Sequence, residues 1–396
     1  MPLNKLILRK NNSHRSAPHA FHNRKILKLY RNLTLVFYGL YALILIKGLY
    51  VPLYSEASII QTEKQQEINQ NKGYQRWKKL QESFPVRKDA LKLQHQFSFP
   101  KIVQEKRGIF LNIPACLCSD SKGSIFVSDR GNHNIIKFDS KGNYLKKIGS
   151  GGQAPGEFIV PRFIDTDHQD NLIIYDIGNS RIQILNSEGE FQKSFKTFRS
   201  YYSMAIDKQG LIYLSPFTKN LNEPLIEVFN MNGKLIKAFG QRIKFKPNYS
   251  VHNGILMSIN NKGEIFVAWE YFPIVRNYSK EGKLLKEYRI NYNLMKKLAE
   301  PNYKAKLTKS KIRMSSVITD IIAKDYKFYL FIRYPRIEII EFNLKGKIVN
   351  IYWKNHPNNF LAADFLVNEY GQNKSKLFYI LNFYPKQQIS VYSINE

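Results

Sequence analysis

The chain is poor in cysteine, with only Cys116 and Cys118 among its 396 residues. Two thiols cannot build the disulfide framework that supports many small secreted folds. Because they are two positions apart, a strand would point both to one face, where they are poorly placed to bond to each other. We expect them to pack as small residues on an inner strand; a metal or redox pair is the alternative.

Recognised catalytic signatures are also missing. The sequence has no Gly-x-Ser-x-Gly, His-Glu-x-x-His, phosphate-binding loop or paired cysteine cluster, and only eight histidines. Each of these motifs places a nucleophile, a metal or a phosphate in a defined local geometry. Their absence favours a protein that binds without chemistry and needs no cofactor.

Acidic residues are scarce: 31 Asp and Glu against 61 Lys and Arg give a formal net charge of +30. Residues 1–32 contain no acid, and the uncharged run "LTLVFYGLYALILI" follows at 33–46. About 20 apolar residues span a bilayer, and basic flanks stay in the cytoplasm. We therefore predict a basic cytoplasmic tail (1–32), a transmembrane signal-anchor (33–54), a helical linker (55–92) and an extracytoplasmic remainder.

A cleaved signal peptide is the alternative to the anchor, because "SEA" at 55–57 has a small-x-small pattern. Both interpretations place most of the chain outside the cytoplasm at the cell membrane. That location argues against nucleic acid as a partner, although the net charge alone suggests it.

Helix-forming runs become scarce beyond residue 110, where turn-bounded apolar segments recur. A strand ending in a turn that usually reads Asx-x-x-Gly, such as "IIKFDSKG" and "IQILNSEG", repeats at spacings of 47, 44, 49 and 64 residues. Periods of about 20–50 residues indicate solenoids, propellers or arrays.

The repeats predict an all-β fold: a six-bladed β-propeller of four-stranded antiparallel blades over residues 93–396, after the transmembrane helix and linker. The last unit stops after its third strand, so we expect segment 95–103 to supply the missing outer strand and close the ring. The expected blades are 114–150, 161–199, 202–240, 254–290, 317–352 and 362–394.

The first two units resemble NHL repeats, through "VSDRGNHNIIKFDSKG", "IYDIGNSRIQILNSEG" and the linker "GSGGQAPGEFIVP". The resemblance is strong over 114–199, weak over 200–290 and only periodic beyond. It implies a six-bladed propeller in which Asp129, Asn132, Asp176, Asn179 and Arg181 organise turns.

Binding candidates lie where later blades diverge from this pattern. Aromatic residues accompany proline in three turns between second and third strands, and rigid aromatic area suits a binding surface. The alternative is that they cover the core. These candidates are Trp269, Tyr271, Phe272, Tyr334, Phe383 and Tyr384. A basic insertion at 291–316 on the same face, with Lys304, Lys306, Lys309 and Lys311, is either a solvated loop or an arm for an anionic partner.

The central channel offers Cys118 and Asp165 as lining candidates, and His133, His252 and His356 as a weak metal set. The preferred function is a membrane-tethered, extracytoplasmic binding module whose loop face contacts a protein or an anionic envelope polymer. The alternative is a metal-dependent lyase, lactonase or hydrolase with its site at the channel mouth.

Overall fold

The computed structural model describes residues 75, 79, 82–245, 250–304, 314–332, 336–355, 361–370, 375–384 and 386–394. Within these ranges no helix is both long and apolar enough to cross a bilayer. The predicted tail (1–32) and signal-anchor (33–54) lie outside the described residues and stay predictions.

The described chain is an all-β propeller of six blades, each a four-stranded antiparallel sheet. One strand, β1 (Leu91–Phe99), precedes the first blade. The blades then follow in chain order: β2–β5 (Pro114–Ser119, Ile125–Asp129, Asn134–Phe138, Tyr144–Ile148), β6–β9 (Pro161–Thr166, Leu172–Asp176, Arg181–Leu185, Phe191–Lys196), β10–β13 (Tyr201–Ile206, Ile212–Pro216, Ile226–Phe229, Leu235–Phe239), β14–β17 (Ile255–Ile259, Ile265–Trp269, Ile274–Tyr278, Leu284–Arg289), β18–β21 (Asp320–Lys324, Lys327–Ile332, Ile337–Asn343, Ile348–Lys354) and β22–β24 (Leu361–Tyr370, Ser375–Tyr384, Gln388–Ile394).

The six inner strands form the wall of a central channel. Each of β2, β6, β10, β14 and β18 contacts the inner strand of the next blade, and β22 contacts β2, which closes the ring. Between blades the core is apolar: Ile125 and Val127 face the sixth blade, and Phe126 faces the second. Because blades cover both faces of these strands, the second strands read as continuous apolar runs rather than alternating ones.

The last blade receives its outer strand from the beginning of the propeller. Strand β1 pairs antiparallel with β24, with Phe99 opposite Ile389, and briefly parallel with β21 of the fifth blade. Sequence analysis expected 95–103 here; the strand is Leu91–Phe99, and the short helix α1 (Ile102–Glu105) follows it. The linker therefore ends at residue 90 rather than 92.

A repeated contact shows that β1 is a full member of the ring. The turn glycine Gly142 has φ +77°, and a Cβ there would lie 2.5 Å from the Phe99 ring. Gly282 has the same relation to Phe239, the outer-strand residue of the preceding blade, again at 2.5 Å. In both places the missing side chain lets the preceding outer strand pack against the turn.

Lysines on the outer strands connect neighbouring blades. Lys146 and Lys237 donate to backbone carbonyls in the turn before the next blade's outer strand, those of Glu188 and Lys280. Lys286 repeats this contact with the Leu344 carbonyl at 3.2 Å. Part of the lysine excess is therefore structural: these ammonium groups satisfy exposed turn carbonyls.

A buried polar network joins the fifth and sixth blades. The Glu341 carboxylate, 3% exposed, accepts from Lys376 Nζ at 2.8 Å, Tyr352 Oη at 2.5 Å and Asn350 Nδ2 at 3.0 Å. Lys327 Nζ lies 3.2 Å from the other carboxylate oxygen. These partners lower the pKa of Glu341 to about 2 against the opposing effect of burial.

Candidate functional site

Two arginines converge at the channel mouth on the loop face, the side that carries the turns between second and third strands and the connections between blades. Arg130 follows the second strand of the first blade, and Arg162 is the second residue of β6. Burial lowers the pKa of Arg162, and the nearby positive charge of Arg130 lowers it further. Neither guanidinium forms a salt bridge with a described carboxylate, and Arg130 Nε is buried without a hydrogen-bond partner.

One carboxylate lies near this pair but is engaged elsewhere. The negative charge of Glu270 acts in the opposite direction to burial and Arg130, since it raises the pKa of Arg162. Glu270 Oε1 accepts a 2.5 Å hydrogen bond from Ser316 Oγ, and the Glu270 carbonyl accepts from the Val317 N–H at 2.8 Å. The mouth therefore has excess positive charge, because two partly buried cations face one nearby carboxylate that is already hydrogen-bonded to Ser316.

Below the mouth, the channel contains a cavity of about 250 Å³ lined by all six inner strands. The register with the second strands sorts its side chains into two tiers. The upper tier is Cys116, Phe163, Ser203, Leu256, Asp320 and Asp364. The lower tier is Cys118, Asp165, Ser258, Ile322 and Leu366.

A carboxyl pair dominates the upper tier. Asp320 and Asp364, on adjacent blades, lie side by side, because both accept from the Phe365 N–H: Asp364 Oδ1 at 2.9 Å and Asp320 Oδ2 at 3.5 Å. Burial and the charge of Asp364 raise the pKa of Asp320 well above its usual range. Asp364 Oδ2 also accepts from the Leu117 N–H at 2.7 Å, so the pair links the last blades to the first.

The two channel candidates named from the sequence do line this cavity. Asp165, in the lower tier, accepts from the Ile206 N–H of the next blade at 3.2 Å, and burial raises its pKa to about 6. Burial also raises the pKa of both thiols, with a further contribution of Asp364 at Cys116. The thiols are therefore protonated, which favours packing over redox or metal chemistry.

Sequence reasoning missed Arg130, Arg162, Asp320 and Asp364. The two aspartates stand opposite Phe331 and Leu381, as Cys116 stands opposite Ser128. An alignment of the inner strands by these cross-strand pairs would have placed both aspartates beside Cys116 on the channel wall. The turns between first and second strands depart from the "DSKG" pattern of the first blade, as "KDYK" in the fifth blade and "GQNK" in the sixth, so the register was ambiguous.

The predicted aromatic surface of the fourth blade is wrong for two residues. Trp269 and Phe272 are fully buried. Trp269 donates to Asn253 Oδ1 at 3.3 Å, and Phe272 stacks on Phe245 with ring centroids 4.2 Å apart. Both cover the core, because there their rings bury apolar surface that an exposed turn would leave in contact with water.

The remaining aromatic candidates have other outcomes. Tyr271 is half-buried, and its carbonyl accepts from Asn302 Nδ2 at 2.9 Å. Phe383 and Tyr384 are the last two residues of β23, but the structure does not describe their side chains. Tyr334 is not among the described residues. The loop face instead exposes Phe198 (96%) and Phe217 (48%), beside the third blade.

The basic insertion is not simply a loop. Residues Asn293–Tyr303 form helix α2, which buries Leu294, Met295, Ala299 and Asn302 against the fourth and fifth blades. The 3.6-residue spacing of these positions was the overlooked signal. Lys304, just after the helix, is exposed and pairs with Glu300 at 2.7 Å; Lys306, Lys309 and Lys311 lie outside the described residues.

The histidines have separate structural contacts. His133 Nδ1 accepts from the Val160 N–H at 3.1 Å, which joins the first two blades. His252 is 2% exposed and packs against the Phe245 ring, with centroids 5.2 Å apart. His356 is not among the described residues, and in the part of the chain that is described no three His, Cys, Asp or Glu side chains are arranged for a metal.

The turn residues of the first two blades are structural, as the repeat pattern implies. Asp129 accepts from the Asn112 N–H at 2.6 Å, and Asp176 accepts from the Ile159 N–H at 2.7 Å and from Arg181 Nε at 2.9 Å. These carboxylates satisfy backbone donors of the connection that precedes each blade.

The fold and channel thus define a six-bladed β-propeller with a polar, closed-sided channel. The family model DUF5128, described as a 6-bladed beta-propeller, matches residues 110–390. The chain belongs to this family.

Among known proteins, 156 residues of the chain are 25% identical to the protein brain tumor of Drosophila melanogaster. The match covers 38% of this chain and 14% of that protein, and it confirms the NHL-type resemblance. A putative exported protein from Bacteroides fragilis has a similar fold, with a TM-score of 0.52, 12% identity and coverage of 79% of this chain and 98% of its own. A DUF4221 family member from Bacteroides vulgatus likewise gives a TM-score of 0.52, 12% identity and coverage of 78% and 98%.

Proposed function

We propose that the protein is a binding module that captures an anionic group at the loop-face mouth of the channel, without catalysis. The observation that carries this proposal is the pair Arg130 and Arg162, two partly buried guanidinium groups with no described carboxylate paired to either. Arginine binds carboxylate, sulfate and phosphate in bidentate geometry. An anion there would relieve the repulsion between the two charges.

The direct test measures binding of inorganic sulfate to the full-length chain by calorimetry. We expect R130M/R162M to weaken sulfate binding at least about tenfold, the effect of losing a charge-assisted hydrogen bond. The matched control is R199M, which also removes a charge from the loop face, but from an arginine already paired with Glu223 at 2.6 Å. Equal affinities for all three proteins would refute the proposal.

We further propose that this module is tethered at the cell membrane, with the propeller outside the cytoplasm. The support is the acid-free segment 1–32 followed by the uncharged run 33–46. An envelope polymer or an acidic protein would then be the natural anionic partner. A C-terminal fusion to a reporter enzyme that requires disulfide bonds should be active, and should stay with the membrane fraction unless residues 33–54 are deleted. An inactive fusion would place the propeller in the cytoplasm.

A second function, acid–base catalysis, is favoured by the Asp320–Asp364 pair, since a carboxyl group whose pKa is raised is better suited to proton transfer than an ordinary carboxylate. It is the lesser candidate because backbone N–H groups already account for both carboxyls structurally: Asp364 accepts from Leu117 of the first blade, and Asp320 accepts from Ile321, the next residue of its own strand. Turnover of a bound ligand, followed by NMR, would favour it.

A further inference from the structure

The channel below the arginines has features of a ligand site in its own right. Ser203 is 4% exposed, lines the cavity and has no hydrogen-bond partner for its Oγ. Thr319 Oγ1, just before the inner strand of the fifth blade, is another buried oxygen without a hydrogen-bond partner among the described residues, and Thr319 also lines the cavity. Buried hydroxyl groups normally have a hydrogen-bond partner, so two hydroxyls without one in the lining of the same cavity indicate space for a polar ligand.

The charge of this cavity restricts the ligand. Burial and the charge of Asp364 raise the pKa of Asp320, so the upper tier offers hydrogen-bonding groups with less charge than two ionised carboxylates would carry. The second and fourth blades present the apolar side chains of Phe163 and Leu256 to the same cavity. Hydrogen-bonding edges beside apolar faces match a sugar ring, which has hydroxyls around its rim and C–H groups on its faces.

Size and orientation agree with this chemistry. A cavity of about 250 Å³ lies below the roughly 300–1,000 Å³ of drug-sized sites, so it suits one small ring rather than a chain. The Arg162 guanidinium lies over the ring of Phe163, a member of the upper tier, 4.7 Å from the ring centroid, which places it beside this tier. An anionic substituent on the ring would therefore meet the arginine pair at the mouth.

Resting on the proposed anion-binding function, we propose that the channel binds a sugar acid: the carboxylate lies between Arg130 and Arg162, and the ring hydroxyls reach Ser203 and the Asp320–Asp364 pair. The channel takes a single residue, so in a polymer this residue is a terminal one.

The experiment compares D-glucuronate, D-glucose, acetate and sulfate as ligands of the full-length chain by calorimetry. We expect glucuronate to bind at least about tenfold more tightly than acetate or glucose, because only it uses both regions. S203A should weaken glucuronate binding several-fold and leave sulfate binding unchanged. If sulfate binds but glucuronate is no better than acetate, the sugar-acid inference fails while the anion site stands; if none of the anions binds, both fail.

Variants of the carboxyl pair identify the charge that the ligand presents. D320N offers amide donors in place of a protonated carboxyl, so it should retain glucuronate binding, whereas D320L should lose it. A ligand with an ammonium group would need an ionised Asp320, and D320N would then abolish its binding. Retained D320L binding would overturn the assignment, and S203A provides the test if D320L does not fold. An oligosaccharide with a terminal uronate should compete with glucuronate, and one with only internal uronates should not.

Discussion

Replacing Glu341 with glutamine gives the sharpest test of how the fifth and sixth blades are held together. The carboxylate has a pKa of about 2 in the folded chain against 4.5 for the free side chain. At about 1.4 kcal/mol per pKa unit, the charged form gains about 3 kcal/mol on folding. E341Q also leaves Lys376 without its carboxylate, whereas Lys327 keeps Glu369 at 2.7 Å, so we expect a loss of about 3 kcal/mol at pH 7.

The pH dependence has a definite sign. A lowered pKa stabilises the fold above the unfolded value of 4.5, and this contribution is lost as the pH falls towards 2. The stability difference between wild type and E341Q should therefore be constant above about pH 5 and shrink below it. Other acids titrate in both proteins and cancel in the difference.

The assay is urea unfolding of both proteins at pH 7, 5 and 3, followed by circular dichroism. The double variant E341Q/K376M, which removes the stranded ammonium of Lys376, should recover part of the loss. A difference between wild type and E341Q that stays the same from pH 7 to pH 3 would show that the network acts only through shape and refute the electrostatic reasoning.

Three further predictions concern the ring and the channel. Phe99→Ala should lower stability by about 3–5 kcal/mol in urea unfolding, since the ring is fully buried in the closing strand, whereas Phe198→Ala, at a 96% exposed ring, should change it by less than about 0.5 kcal/mol. Similar losses for both would contradict the role of β1. Gly282→Ala should reduce the thermal midpoint, because φ is +93° and the new Cβ would lie 2.5 Å from a neighbouring ring; an unchanged midpoint would mean that the turn relaxes freely. Cys116 and Cys118, whose pKa values burial raises, should react with a thiol reagent only after unfolding, and rapid labelling of the native chain at pH 8 would contradict this.

The channel shows how far sequence reasoning reached towards the candidate site. Cys118 and Asp165 could be placed on the channel wall, because turn residues of the first two blades fix their register. Asp320 could not, since its blade turns through Asp325 and Tyr326 without the four-residue turn, Asp120–Gly123 or Asp167–Asp170, that marks the register in the first two blades. Trp269 and Phe272 were misjudged because a turn sequence does not state whether its rings fold inward.

The sequence by itself determined the six-fold repeat and the need for an extra outer strand, because turn chemistry and apolar strand patterns are local properties that a period reveals. Tertiary structure alone decided which side chains meet across blades. The arginine pair comes from the first and second blades, and the carboxyl pair comes from the fifth and sixth. Such meetings depend on the radial packing of sheets far apart in the chain, where strand register and the closure of the ring, rather than spacing in the sequence, set the distances.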